Sequence, residues 1–81
     1  MTKTLMEGAM IIGEIQKIGT DKIIVTVKEF KGKTYVDVRN FFENDQGEMV
    51  PTKKGVSLTP ENLDELIRLL GEAKKQLPKE T

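Results

Sequence analysis

The 81-residue sequence has no cysteine, no histidine and no tryptophan. Without thiols, neither a disulfide nor a thiolate-held zinc ion can supplement a small core. Without imidazole, histidine-based zinc sites, imidazole acid–base chemistry and any histidine-containing triad are excluded by inventory. Ser57 is the only serine, and it has no histidine to activate it as a nucleophile. The acidic stretch from Glu43 to Glu48 fails as an EF-hand loop. With Gly47 at the invariant glycine position, the first ligand position falls on Phe42 and the bidentate twelfth on Lys53. Phosphate-cradling glycine motifs are absent, and no pair of carboxylates is arranged for acid–base work. The expectation is a protein that is not an enzyme and has no metal or cofactor.

Long apolar runs are missing too. Ala9-Met10-Ile11-Ile12, near the start, is far shorter than the ~7–15 residues of a secretory core or the ~20 of a membrane span. A soluble, intracellular protein with no membrane partner is expected. Net charge is also lacking, since 13 basic side chains balance 13 acidic ones, which argues against a uniformly basic surface. The distribution is uneven, however. Lys17, Lys22, Lys28, Lys31 and Lys33 cluster in one stretch, whereas Glu43, Asp45, Glu48, Glu61, Asp64, Glu65 and Glu72 lie later. So short a chain has little interior, and oligomerisation is the expected remedy.

What is present reads as strands followed by one helix. Residues 1–10 carry no sustained period and are expected to form a flexible arm; residues 11–78 form a single domain and 79–81 a tail. Ile11 to Ile18 predicts a first strand, with Gly13 weakening it or marking a bulge. Ile23-Ile24-Val25-Thr26-Val27-Lys28-Glu29-Phe30 is rich in β-branched residues and predicts a second. From Thr34 to Phe42 the pattern alternates, with Val36 and Val38 on a core face and Tyr35, Asp37 and Arg39 on a wet one. Lys31-Gly32-Lys33 between them predicts a tight hairpin with glycine at positive φ. A polar loop over Glu43–Glu48 leads into a fourth strand, Met49 to Leu58, with Pro51 at an edge or bulge. Thr59-Pro60 then supplies a helix N-cap and first-turn proline. Leu63, Leu66, Ile67, Leu70 and Leu77 fall near one stripe of that helix, which Pro78 ends. The fold class is α+β, in the order ββββα, with a helix on one face of the sheet and the other face open.

The run Glu29-Phe30-Lys31-Gly32-Lys33, the strand Val36-Asp37-Val38-Arg39, Gly47-Glu48-Met49, and the junction Lys53-Lys54-Gly55-Val56-Ser57-Leu58-Thr59-Pro60-Glu61 together resemble the C-terminal domain of the transcriptional positive-cofactor-four family. The resemblance covers about residues 14–77. It implies a curved four-stranded antiparallel sheet with one C-terminal helix, paired through the helices into a homodimer. It further implies channels for single-stranded DNA or melted duplex, and a role as transcription coactivator or regulator, or in replication and repair. The residues it assigns to nucleic acid are Phe30, Lys31, Lys33, Arg39, Phe42, Lys53 and Lys54, with Phe42 where relatives carry a base-stacking tryptophan; Lys28, in the same basic stretch, is expected to join them. The sequence departs from the family at Val50, where relatives have lysine, and at Leu63, where they have an aromatic residue.

The local alternation and the resemblance disagree over one ring. Continuing the period from Val36 and Val38 puts Phe42 on the core face and Phe41 beside Arg39. A bulge near Asn40 would reverse that and make Phe42 the exposed ring, which is the assignment preferred here. Lysines on an edge strand or hairpin also serve simply to discourage aggregation, and aromatic residues in a sheet more often pack than stack on ligands. The physical case for a single strand is that it exposes phosphates to mobile cations and base faces to flat rings, giving binding with little sequence preference. RNA would be served by the same chemistry. An alternative is a protein-interaction adaptor whose open sheet docks a polymerase or regulator, in transcription or replication machinery, with nucleic-acid binding incidental. The expected location is with nucleic acid, in a nucleoid or nucleus, and the absence of a long serine-rich acidic arm suits a bacterial or viral source.

Overall fold

A computed structural model describes residues 3–6 and 9–78. Five strands, β1 (Lys3–Met6), β2 (Ala9–Gln16), β3 (Lys22–Phe30), β4 (Lys33–Glu43) and β5 (Met49–Leu58), precede one helix, α1 (Pro60–Lys75). The sheet is antiparallel throughout, and its spatial order is the chain order, β1-β2-β3-β4-β5.

Each connection follows from local chemistry. Between β3 and β4, Phe30 pairs with Lys33, and only Lys31 and Gly32 turn the corner, at φ 53° and 77°. Positive φ at both central residues is the primed turn whose twist matches the flanking strands. Gly32 adopts it without strain, while Lys31 is the only non-glycine residue among those described with φ in this region. Between β4 and β5 the Asn44 side chain closes the loop, its Oδ1 accepting the backbone amides of Gln46 and Glu48, both at 2.9 Å. The β2–β3 turn is held by Gln16, whose Nε2 donates to the carbonyls of Lys17, Gly19 and Asp21 at 3.0–3.3 Å. Helix α1 begins as its sequence dictates: Thr59 Oγ1 accepts the Asn62 amide at 3.2 Å, Pro60 follows the cap, and Lys74 and Lys75 occupy the last turn.

The register shifts in three places, between Thr4 and Met6 of β1 and at two sites further into the sheet. The β2–β3 register jumps between Ile11 and Gly13, leaving Ile12 as an extra residue, so Gly13 does mark a bulge. The β4–β5 register jumps between Arg39, opposite Gly55, and Phe41, opposite Pro51. There Thr52, Lys53 and Lys54 of β5 face the single residue Asn40. Bulges of this kind increase twist and curvature.

The structure departs from the expectations in four places. Four strands are five: Lys3–Met6, inside the region read as a flexible arm, pair with β2, because β2 otherwise presents an unpaired edge to which a short segment can add. The remaining residues of that arm outside 3–6 and 9–10, and the tail 79–81, lie outside the described residues. The first strand is Ala9–Gln16 rather than Ile11–Ile18, since Gln16 and Gly19 (φ 82°) already form the turn there. The core is inverted relative to the pattern. Ile24, Thr26 and Asp37, on the face expected to be wet, are buried, while Val25, Val27, Val36 and Val38 are half-buried. Finally, the leucine stripe of α1 does not form a core within one chain: no helix residue is buried, and the helix touches only β4 and β5. Thr26 and Asp37 oppose each other and are covered by neighbouring side chains, Arg39 and Ser57 among them, whereas α1 touches only β4 and β5.

Candidate nucleic-acid interface

Directly opposed residues in an antiparallel pair share a face. Lys28 opposes Tyr35, Thr26 opposes Asp37 and Ile24 opposes Arg39, so β3 and β4 contribute alternating polar and apolar groups to one surface. Ser57 and Gly55 join it from β5 opposite Asp37 and Arg39. On this face lies an open hollow of about 500 Å³, lined by Lys28, Asp37, Arg39, Phe41, Pro51 and Lys53 among others.

At its centre is a carboxylate. Asp37, 5% exposed, accepts a two-pronged pair of bonds from Arg39, Nε to Oδ2 at 3.0 Å and Nη2 to Oδ1 at 2.9 Å. Ser57 Oγ donates to the same Oδ1 at 2.7 Å, and Lys28 Nζ stands 3.8 Å away. Burial pushes the Asp37 carboxyl up, but the hydrogen bonds from Arg39 and Ser57 and the charges of Lys28 and Arg39 outweigh it, so its pKa lies below the usual value. The bond to Asp37 correspondingly raises the pKa of Arg39. Arg39 also reaches the next strand, Nη1 donating to the Thr52 carbonyl at 3.0 Å. Thr52 in turn fixes the β5 bulge: its Oγ1 donates to the Asn40 carbonyl at 2.8 Å and accepts the Lys54 amide at 3.1 Å.

Adjacent residues of a strand face opposite sides, and so do the two β5 lysines. Lys53 lines the hollow with Arg39, whereas Lys54 lines a separate hollow of about 170 Å³ with Lys17, Ile23, Val38, Asn40 and Arg39. In that second hollow Lys17 Nζ is engaged, donating to Asn40 Oδ1 at 2.9 Å. At the far end of the sheet the hairpin presents Phe30, Lys31 and Lys33. Phe30 is 60% exposed, and its alternation with Lys28 puts it on the Arg39 face. The Lys31 ammonium lies 5.3 Å from the ring centroid, within cation–π range.

Of the eight residues assigned from sequence, Lys28, Arg39 and Lys53 share the hollow, and Phe30 and Lys33 extend the same face, with Lys31 at the turn. Lys54 and Phe42 do not join them. The pairing of β3 with β4 runs from Lys22 opposite Phe41 to Phe30 opposite Lys33 without a register shift. The parity of β4 is therefore kept, because the bulge near Asn40 lies in β5 rather than in β4. Phe41 stands beside Arg39, while Phe42 falls on the side of Val36 and Val38, opposite Val50 and 40% exposed. The preferred placement of Phe42 on the Arg39 face is corrected accordingly. Two members of the site were not assigned from sequence. Thr52 contributes through its carbonyl and hydroxyl to a bulge that residue types do not advertise, and Asp37 is an acid in a basic setting, for which only its alternation with Arg39 gave a signal.

A curved antiparallel sheet with a polar hollow on one face, followed by a single C-terminal helix, defines the class. The chain matches the family described as Transcriptional Coactivator p15 (PC4) over residues 18–69. It belongs to that family of transcriptional coactivators. It is 50% identical over 42 residues to the Arabidopsis thaliana RNA polymerase II transcriptional coactivator KELP, covering 52% of this chain and 25% of that one. With the Saccharomyces cerevisiae RNA polymerase II transcriptional coactivator SUB1 it shares 42% identity over 45 residues, 54% of this chain and 15% of the yeast protein. The chain thus spans a quarter or less of these two relatives. A crystal structure of a PC4 homolog from Burkholderia pseudomallei is 31% identical and superposes with a TM-score of 0.78, covering 91% of this chain and all of that one. No helix among the described residues is long and apolar enough to cross a membrane.

Proposed function

We propose that this chain binds single-stranded DNA with little sequence preference, as a non-catalytic homodimer paired through α1, and that it acts in this way on transcription, with melted duplex as a further ligand and a role in replication and repair open to the same chemistry. The observation that carries the reading is the hollow on the Arg39 face. Lys28 and Lys53 flank a fixed Arg39–Asp37 pair there, and the rings of Phe41 and Phe30 lie on the same face. Mobile ammonium groups suit phosphates, and flat apolar rings suit bases at roughly 1–3 kcal/mol per stacked base, neither of which depends on sequence. A flexible strand follows a curled surface that a stiff duplex bridges. Membership of a coactivator family agrees with this assignment.

Pairing is supported by how much of the chain lies open. The accessible surface is 6751 Å², against about 4,900 Å² for a folded monomer of 9.1 kDa. The radius of gyration is 14.4 Å, against ~11.7 Å for a compact chain of this length. Ile67 and Leu70, 59% and 57% exposed, are the helix residues a second copy would cover.

The test is a titration of labelled oligothymidine, oligouridine and duplex DNA of equal length at two salt concentrations. Tighter binding of oligothymidine than of duplex, weakening with salt, is expected. Equal affinity for duplex, or no salt dependence, would sink the reading, and a preference for oligouridine would move it to RNA. Changing Lys31 and Lys33 together to glutamate should lower affinity by at least tenfold by removing two cations and adding two anions at the hairpin. If that double variant binds undiminished while a polymerase or regulator is still captured, the adaptor reading stands instead.

A further inference from the structure

An acid at the centre of a surface meant for phosphates is a paradox that geometry resolves. Asp37 is buried and spends its oxygens on groups from its own strand and a neighbour: Arg39 of β4 and Ser57 of β5. Arg39 has five N–H donors, and its Nε, Nη1 and Nη2 are each engaged, two on Asp37 and one on the Thr52 carbonyl. Among the described residues it is the side chain that bridges Asp37 to the β5 bulge. The same bulge is tied at Thr52 Oγ1 to the Asn40 carbonyl and the Lys54 amide, and Lys53 leaves it toward the hollow while Lys54 leaves it toward the other side.

We infer that Asp37 and Arg39 are positioning residues, a strut that holds the β5 bulge so that Lys53 stands over the hollow, and that Lys28 and Lys53 rather than Arg39 carry the phosphates. This rests on the single-strand reading above and deepens it. The strut works because a planar guanidinium can grip a carboxylate with one edge and a carbonyl with another, which a lysine ammonium on a flexible stem cannot reproduce. Holding the bulge in advance removes part of the cost of ordering that stretch of backbone on binding.

The inference gives a sign that charge counting does not. Asp37→Asn removes a negative charge from the surface that meets a polyanion, so electrostatics alone predicts tighter binding. The Asn amide instead turns a donor toward the Arg39 donors, the grip is lost, and the strut predicts weaker binding, roughly tenfold. Arg39→Lys keeps the charge and loses the fork. It should weaken oligothymidine binding similarly. The experiment measures both variants by oligothymidine titration at several salt concentrations, with folding checked by circular dichroism. It adds hydrogen exchange of the Lys54 amide in the absence of any oligonucleotide, expected to be faster in both. Binding by Asp37→Asn as tight as wild type or tighter, or wild-type affinity in Arg39→Lys, overturns the inference, as does unchanged exchange at Lys54. Since the exchange measurement involves no ligand, failure of the wild-type protein to bind single strands would remove the proposed function while the strut is still judged by Lys54.

Discussion

Gly55 faces Arg39 across the β4–β5 pair, where a Cβ would lie 2.7 Å from the Val38 carbonyl oxygen and 2.8 Å from Arg39 Cα and Cβ. Those neighbours are backbone or its immediate attachment and cannot swing away. Gly55→Ala is therefore expected to destabilise the fold by about 1–3 kcal/mol through overpacking, read as a lower urea midpoint; an unchanged midpoint would show that the strands separate without cost. Asp37 makes a second residue-scale prediction. Its folded pKa is lowered from the ordinary 3.8, so the unfolded chain takes up the proton first as pH falls. Its stabilising contribution is complete above about pH 4, shrinks as the pH drops below that, and is gone once the pH passes the folded value. Urea unfolding between pH 5 and pH 2 should show a component of acid sensitivity that Asp37→Asn lacks.

At the scale of the element, the strand β4 decides which ring shares the Arg39 face. Its unbroken pairing with β3 keeps strict alternation, so Phe41 accompanies Arg39 and Phe42 accompanies the valines. Phe41→Leu should weaken oligothymidine binding by roughly five- to a hundredfold, the range for one stacked base, while Phe42→Leu should leave it within about twofold. The reverse result would mean that β4 changes parity when a strand is bound. The start of α1 was legible to the residue, because it is dictated by the Thr59 hydroxyl and Pro60; its end was not, since Leu77, expected on the helix stripe, lies beyond Lys75 and the Gln76 cap.

For the whole molecule, one chain leaves its apolar sheet face only partly covered and its helix without a buried residue. A second copy laid across α1 would supply the missing cover, since buried apolar surface stabilises by about 25 cal/mol per Å². The double change Ile67→Glu with Leu70→Glu should convert a dimer to a monomer in analytical ultracentrifugation and lower the thermal midpoint. If both proteins sediment alike as monomers, the pairing through α1 is wrong.

From the sequence alone the order of strands and helix was readable, since period-two and period-3.6 patterns and the Lys31-Gly32 and Thr59-Pro60 signals are local properties. Met49–Leu58 was bounded to the residue, and the family followed from the same motifs. What only tertiary structure decided was non-local. Lys3–Met6 became a strand because an edge was there to pair with, which no pattern in four residues announces. Phe41 took the place expected of Phe42 because the irregularity beside Asn40 left β4 in register with β3. Asp37 and Thr26 were buried because strand pairing sets them opposite each other and brings Arg39 and Ser57 onto the carboxylate, a consequence of three strands together rather than of any residue's own preference.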